Sequence, residues 1–122
     1  MACLINYAIR DGLLRAEVRG KSSYRDAAWI ARDIVRQAAE QAVRRVLIDV
    51  RRLAERLGTL GPLSMAMGDP GDVYGYRIAV VDVKEYDPYY ARHEAAARDR
   101  GYALRCFTNS ADARNWLLDA GG

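Results

Sequence analysis

The chain has 122 residues, 51% of them apolar and 29% charged, which fits one ordinary domain and excludes the low hydrophobicity and one-sided charge of a disordered chain. No apolar run approaches the roughly 20 residues that cross a bilayer as a helix, and the start Met1-Ala2-Cys3-Leu4-Ile5-Asn6 lacks a basic region followed by an apolar stretch, so a cytoplasmic location is expected. The formal net charge of +3 comes from 19 basic and 16 acidic residues, with arginines spread from Arg10 to Arg114; that dispersion fits a solvated mixed-charge surface better than a nucleic-acid patch.

Residues 4–10 alternate roughly between apolar and polar, Asp11-Gly12 is a strong two-residue turn, and Leu14, Ala16 and Val18 alternate with Arg15, Glu17 and Arg19. This pattern predicts an N-terminal hairpin. Ser22-Ser23 offers a helix cap with Asp26 three residues after Ser23, and Ala27, Ile30, Ala31, Ile34, Ala38 and Ala42 follow at helical spacing, giving a long helix one face that can pack on a sheet. The run Val46-Leu47-Ile48-Asp49-Val50 lies between arginine pairs and is rich in β-branched residues, as expected of a strand buried on both faces of a parallel sheet. Residues 77–82 repeat the pattern and residues 102–107 give a weaker third case. Three such strands, each followed by a helical segment, imply right-handed crossovers.

Between the first two of these strands the sequence is less regular. A helix is expected at about residues 60–67, with Pro62 in its first turn and Leu60, Leu63, Met65 and Met67 making it apolar over more of its circumference than a half-buried helix needs. Residues 69–75 are crowded with turn residues. Asp87-Pro88 opens a further helix that Gly101 terminates in the left-handed position. Ser110 is expected to cap the last helix, with Asp112 in its first turn and Ala113, Trp116, Leu117 and Ala120 on one face, Trp116 in the core.

Residues that carry chemistry are sparse. Cys3 and Cys106 have no metal-ligand spacing and sit in predicted strands, where they read as buried or idle thiols. His93 is the only histidine, and its neighbour Glu94 points elsewhere on a helix, so a packed or surface role is expected. No zinc-hydrolase, dithiol, serine-hydrolase or phosphate-loop motif occurs, so no catalytic residue, metal or cofactor is predicted. Ligands of open α/β sheets bind beyond the carboxyl ends of the strands, which makes Asp49, Arg51, Asp82 and Lys84 a candidate polar pocket; the same acids can instead cap turns and pair with nearby bases. Leu57, Leu60, Leu63, Met65 and Met67 are a candidate partner or ligand surface, adaptable through leucine and methionine side chains, or else core. Tyr74, Tyr76, Tyr86, Tyr89 and Tyr90 cluster in the same strand-to-helix region.

The order hairpin, helix, strand, helix, strand, helix, strand, helix, with the acid-ended strands Leu47-Ile48-Asp49 and Val80-Val81-Asp82, resembles the SpoIIAA-like branch of the STAS/Sec14-type proteins over nearly the whole chain. Further echoes are Arg100-Gly101-Tyr102 through Phe107-Thr108 into the Trp116 helix. The resemblance implies an α/β, single-domain SpoIIAA-like fold spanning residues 1–122: a five-stranded mixed sheet, with an N-terminal antiparallel hairpin plus parallel strands, and about four helices. It also implies binding rather than catalysis, since STAS domains commonly act as anti-sigma-factor antagonists or regulatory modules. In the antagonists a phosphorylated serine lies in an Asp-Ser-Ser-Gly element opening the helix after the third strand. The corresponding stretch here, Leu57-Gly58-Thr59-Leu60-Gly61, has no serine pair and no preceding aspartate, leaving Thr59 as the candidate phosphorylation site or a plain helix cap. The leading expectation is a non-enzymatic regulatory module that docks a protein partner through the helix after the third strand or pairs as a homodimer. The alternative is a carrier of a small amphipathic, lipid-like ligand held between the sheet and the Met65 and Met67 helix; a nucleic-acid binder is third.

Overall fold

Asp11 and Gly12 both take positive φ, 55° and 73°, the pair of left-handed conformations that a two-residue type I′ turn requires. They fold β1 (Cys3–Arg10) back on β2 (Leu13–Lys21) in antiparallel register, with Arg10 opposite Leu13. The computed structural model describes residues 3–21, 24–54, 74–83 and 90–119. Beyond the hairpin, β3 (Arg45–Ala54), β4 (Arg77–Val81) and β5 (Ala103–Phe107) add in parallel, so the five strands lie side by side in chain order. Three helices lie among the described residues: α1 (Tyr24–Glu40), α2 (Tyr90–Asp99) and α3 (Ser110–Leu118). The helix expected at 60–67 lies outside them, as do the expected starts at 22–23 and 87–88.

Side-chain alternation divides the core between the two sheet faces. On one, Leu14, Ala16, Val18, Val46, Ile48, Val50, Ile78, Val80 and Leu104 bury against Ile30, Ala31, Ile34 and Ala38 of α1 and Ala97 of α2. On the other, Leu13, Leu47, Ala79 and Val81 bury against Ala113 and Leu117 of α3, with Phe107, Trp116 and Leu118 partly buried around them. The central strands are therefore apolar on both faces, which is why they read as unbroken runs. Trp116 is half-buried and not fully inside the core; its ring lies 5.8 Å from that of Phe107, and the Arg77 guanidinium stacks 4.2 Å above it. Arg77 Nη2 also donates to the Trp116 carbonyl at 2.5 Å, placing a cation on the negative end of α3.

Three details depart from the sequence reading. First, β3 continues past Asp49 to Ala54, because pairing with β2 resumes at Arg19 opposite Arg52 after a register shift between Glu17 and Arg19, and Leu53 buries on the α1 side. Asp49 is thus inside a strand and not at its end. Second, α1 stops at Glu40, and Ala42, which fits the helical spacing, has φ of 55° as Val43 N donates to the Ala38 carbonyl at 3.0 Å to close the helix end. Third, the cap of α3 is Asn109, whose side chain accepts from Asp112 N at 2.8 Å; Ser110 is the first helical residue.

Gly101 ends α2 as the sequence predicts, with φ of 91° and Tyr102 N donating to the Ala97 carbonyl at 3.2 Å. A Cβ there would stand 2.6 Å from Cδ2 of the exposed Tyr74 and push its ring aside, but it is the left-handed conformation that demands glycine. At Ala42 the same geometry is met by a residue that resists it. Replacing Ala42 with glycine is expected to raise the unfolding free energy by about 1 kcal/mol in urea titration, and Ala42→Val to lower it.

Candidate functional site

A carboxylate in an apolar strand must find donors or it will not remain charged. Asp49, 3% exposed, meets that demand with its own neighbours. Its position on β3 puts it on the α3 side of the sheet, level with Glu17 of β2 and Val81 of β4. Two residues on, the same face carries Arg51, whose Nε donates to Asp49 Oδ1 at 3.0 Å and whose Nη2 donates to Oδ2 at 2.8 Å, a two-pronged pair. The backbone N of Arg51 adds a third bond to Oδ1 at 3.1 Å, and Arg15 Nη2 on β2 reaches Oδ2 at 3.3 Å. Burial alone would raise the Asp49 pKa, but the hydrogen bonds and charge of Arg51, with help from Arg15, hold it below the ordinary carboxylate value. The Arg51 guanidinium is correspondingly raised, first by its bonds to Asp49 and against its own partial burial. Its Nη2 also donates to Ser110 Oγ at 3.1 Å, tying the cluster to the start of α3.

Asp82, 2% exposed, directly follows β4. Its backbone N donates to the Phe107 carbonyl at 2.9 Å, and its Oδ1 accepts from Val83 N at 2.7 Å. At the level of Asp49 and the end of β4, the polar groups of the sheet are thereby hydrogen-bonded.

A second polar cluster lies on the opposite face. The Tyr7 hydroxyl on β1 donates to Asp33 Oδ2 on α1, and Arg36 Nη2 donates to Asp33 Oδ1 at 2.6 Å. Burial, and then the Asp33 carboxylate, push the Tyr7 phenol well above its usual range. Burial would raise Asp33, but bonds from Tyr7 and Arg36 bring it below its ordinary value.

Beside α3 lies an open trough of about 270 Å³ lined by Ala8, Arg10, Leu13, Arg15, Leu47, Ser110 and Arg114. Of the residues singled out from sequence, Asp49 and Arg51 are in direct contact, and Asp82 stands just past the strand beside them. Lys84, Thr59, Leu57, Leu60, Leu63, Met65 and Met67 lie outside the described residues. His93 falls within α2, Tyr76 is buried and Tyr74 is exposed. Among the described residues, no three His, Cys, Asp or Glu side chains gather as a metal-holding group. Sequence reasoning missed Arg15, Ser110 and Arg114; only the placement of Arg15 on the polar side of the hairpin hinted at a role, since their contacts span long sequence separations.

The Asp49 cluster has a pH signature. Because its folded pKa lies below the unfolded value of about 3.9, the stabilisation is complete above that value and disappears as pH falls through the folded pKa. Asp49→Asn should therefore cost about 2 kcal/mol in denaturant unfolding at pH 7, with the gap to the parent closing below about pH 4.

The chain matches no protein-family model and no curated protein sequence. Among solved structures it is similar to an anti-sigma factor antagonist from Mycobacterium paratuberculosis, with 16% identity and a TM-score of 0.58 over 96% of this chain and 95% of that one. It is also similar to an uncharacterized protein with a SpoIIAA-like fold from Shewanella loihica PV-4, with 18% identity and a TM-score of 0.56 over 96% of this chain and 94% of that one. With its antiparallel hairpin, its three parallel strands in chain order and its helices on both faces, the chain has the SpoIIAA-like fold.

Proposed function

We propose that this chain is a regulatory protein-interaction module that recognises its partner without chemistry of its own. The observation that carries the reading is the saturation of Asp49: four donors fill its two oxygens and depress its pKa. A carboxylate so held neither shuttles protons at neutral pH nor has lone pairs free for a substrate. The same bonds fix the Arg51 side chain and, through Ser110, the start of α3, so this end of the sheet presents a firm surface of the kind recognition requires. An anti-sigma factor antagonist shares the fold, which supports a regulatory role. No helix among the described residues is long and apolar enough to cross a membrane.

The partner surface in this reading is the segment after β3, with Leu57, Leu60, Leu63, Met65 and Met67 as its apolar contacts and Thr59 as its site of phosphorylation. Self-association of two copies is the alternative form of the same use.

Native mass spectrometry of the full chain purified from its own host distinguishes this reading from its rival. A stoichiometric protein partner, or two copies of the chain, is the expected result; a small apolar molecule retained one to one would replace the module with a carrier. Once the partner is in hand, Thr59→Asp should change its affinity at least tenfold relative to Thr59→Ala, by titration calorimetry. Equal affinities would remove Thr59 from the account.

A further inference from the structure

We infer that the open part of the sheet face beside α3 is the docking groove for an acidic segment of a protein partner. This rests on the interaction-module reading and adds the chemistry of the partner and a further set of contact residues. α3 covers Leu13, Leu47, Ala79 and Val81 but leaves the β1 side of the same face open, where Ala8 and Arg10 are exposed. The trough is lined by exposed Ala8 and by the edges of Leu13 and Leu47, each 3% exposed, with Arg10 and Arg15 on the sheet side and Ser110 and Arg114 on the helix side. Further along the same face of β1, Leu4 is 66% exposed.

Charge selects the occupant. Among the described residues the groove lining holds three arginines and no carboxylate. The acids around it are shared: Asp11 serves both Arg10, at 4.0 Å, and Arg114; Glu17 serves Arg15 and Arg19; Asp49 serves Arg15 and Arg51. Among the described residues five arginines thus divide three carboxylates, and the guanidiniums of Arg10 and Arg114 share one. Pairs as exposed as Arg10 with Asp11, 84% and 59%, contribute little to stability and exchange readily for a better carboxylate. A guanidinium receives a carboxylate through two parallel hydrogen bonds, so glutamate or aspartate side chains match these arginines.

Shape favours a chain segment over a small ligand. The trough of about 270 Å³ is open to solvent, unlike the enclosed cavities that bury most of a small molecule's surface. It accepts the side chains of a segment lying alongside α3, acidic residues against the arginines and an apolar residue against Ala8.

The test uses the full chain, labelled with nitrogen-15, and a synthetic peptide of about ten residues, mostly glutamate with two leucines. The expected result is saturable shifts of the Ala8, Leu13, Leu47 and Ser110 amides that weaken as salt rises, and no saturation with a glutamine-for-glutamate peptide. The double variant R10Q/R114Q, which leaves the Asp49 contacts in place, should retain the parent amide pattern and bind the acidic peptide about fivefold to tenfold more weakly. Absence of saturation, equal binding of the glutamine peptide, shifts confined to another surface, or unchanged affinity of the folded double variant would each overturn the inference. The two readings fail separately. If the peptide fails while a native partner is retained, the groove falls alone; if the peptide binds and no partner or second copy is ever retained, the groove stands without the module.

Discussion

The Asp49 carboxylate, buried in the third of five strands, sets the terms for the α3 side of the molecule. An isolated charge there would cost several kcal/mol, so its compensation is a condition of folding. The donors come from two elements, Arg15 of β2 and Arg51 of β3, and the same Arg51 guanidinium donates onward to Ser110 Oγ of α3. One carboxylate thereby couples the hairpin to the parallel strands and both to the last helix.

Arginine is the recurring means of that coupling. Arg51 holds the start of α3 through Ser110, Arg77 holds its end through the Trp116 carbonyl and ring, and Arg114 reaches from its middle to Asp11 in the hairpin turn. The planar, permanently charged guanidinium suits these sites, where one side chain must stack and hydrogen-bond at once. The opposite face is built differently. There α1 packs Ile30, Ala31, Ile34 and Ala38 against an apolar sheet, with the Tyr7 and Asp33 bond near the β1 edge as its polar tie. The β5 edge is covered by a carboxylate, since Glu94 Oε1 of α2 accepts from the Cys106 backbone N at 3.2 Å.

Much of this plan was legible in the sequence, because it rests on short-range rules. Asp11-Gly12 announced the turn, the β-branched runs announced strands buried on both faces, and Gly101 announced a helix end. What periodicity conceals is partnership. The arginines read as a solvated surface, yet Arg51 meets Ser110 across 59 positions and Arg77 meets Trp116 across 39. Arg51 and Arg52 likewise looked like the end of a strand, whereas a bulge in β3 itself, between Asp49 and Arg52, lets the strand run on and bury Leu53 on the same side as Val50. Ala42 kept the helical spacing but lies where the helix has already turned, and Asn109 took the capping role assigned to Ser110 because its side chain reaches Asp112 N. At the candidate site, Asp49 and Arg51 were legible from their place near a strand's carboxyl end, while the choice between an open pocket and a closed ion pair needed three dimensions.

That choice decides whether this end of the sheet binds or reacts, and the most direct measurement of it is a carbon-13 NMR titration of the Asp49 side-chain carboxyl in the intact chain. The account requires a single midpoint below the ordinary aspartate value of about 3.9, with the group fully ionised at neutral pH. A midpoint raised toward 6 or 7 would contradict it, showing a carboxyl released from its arginines and fit for proton transfer.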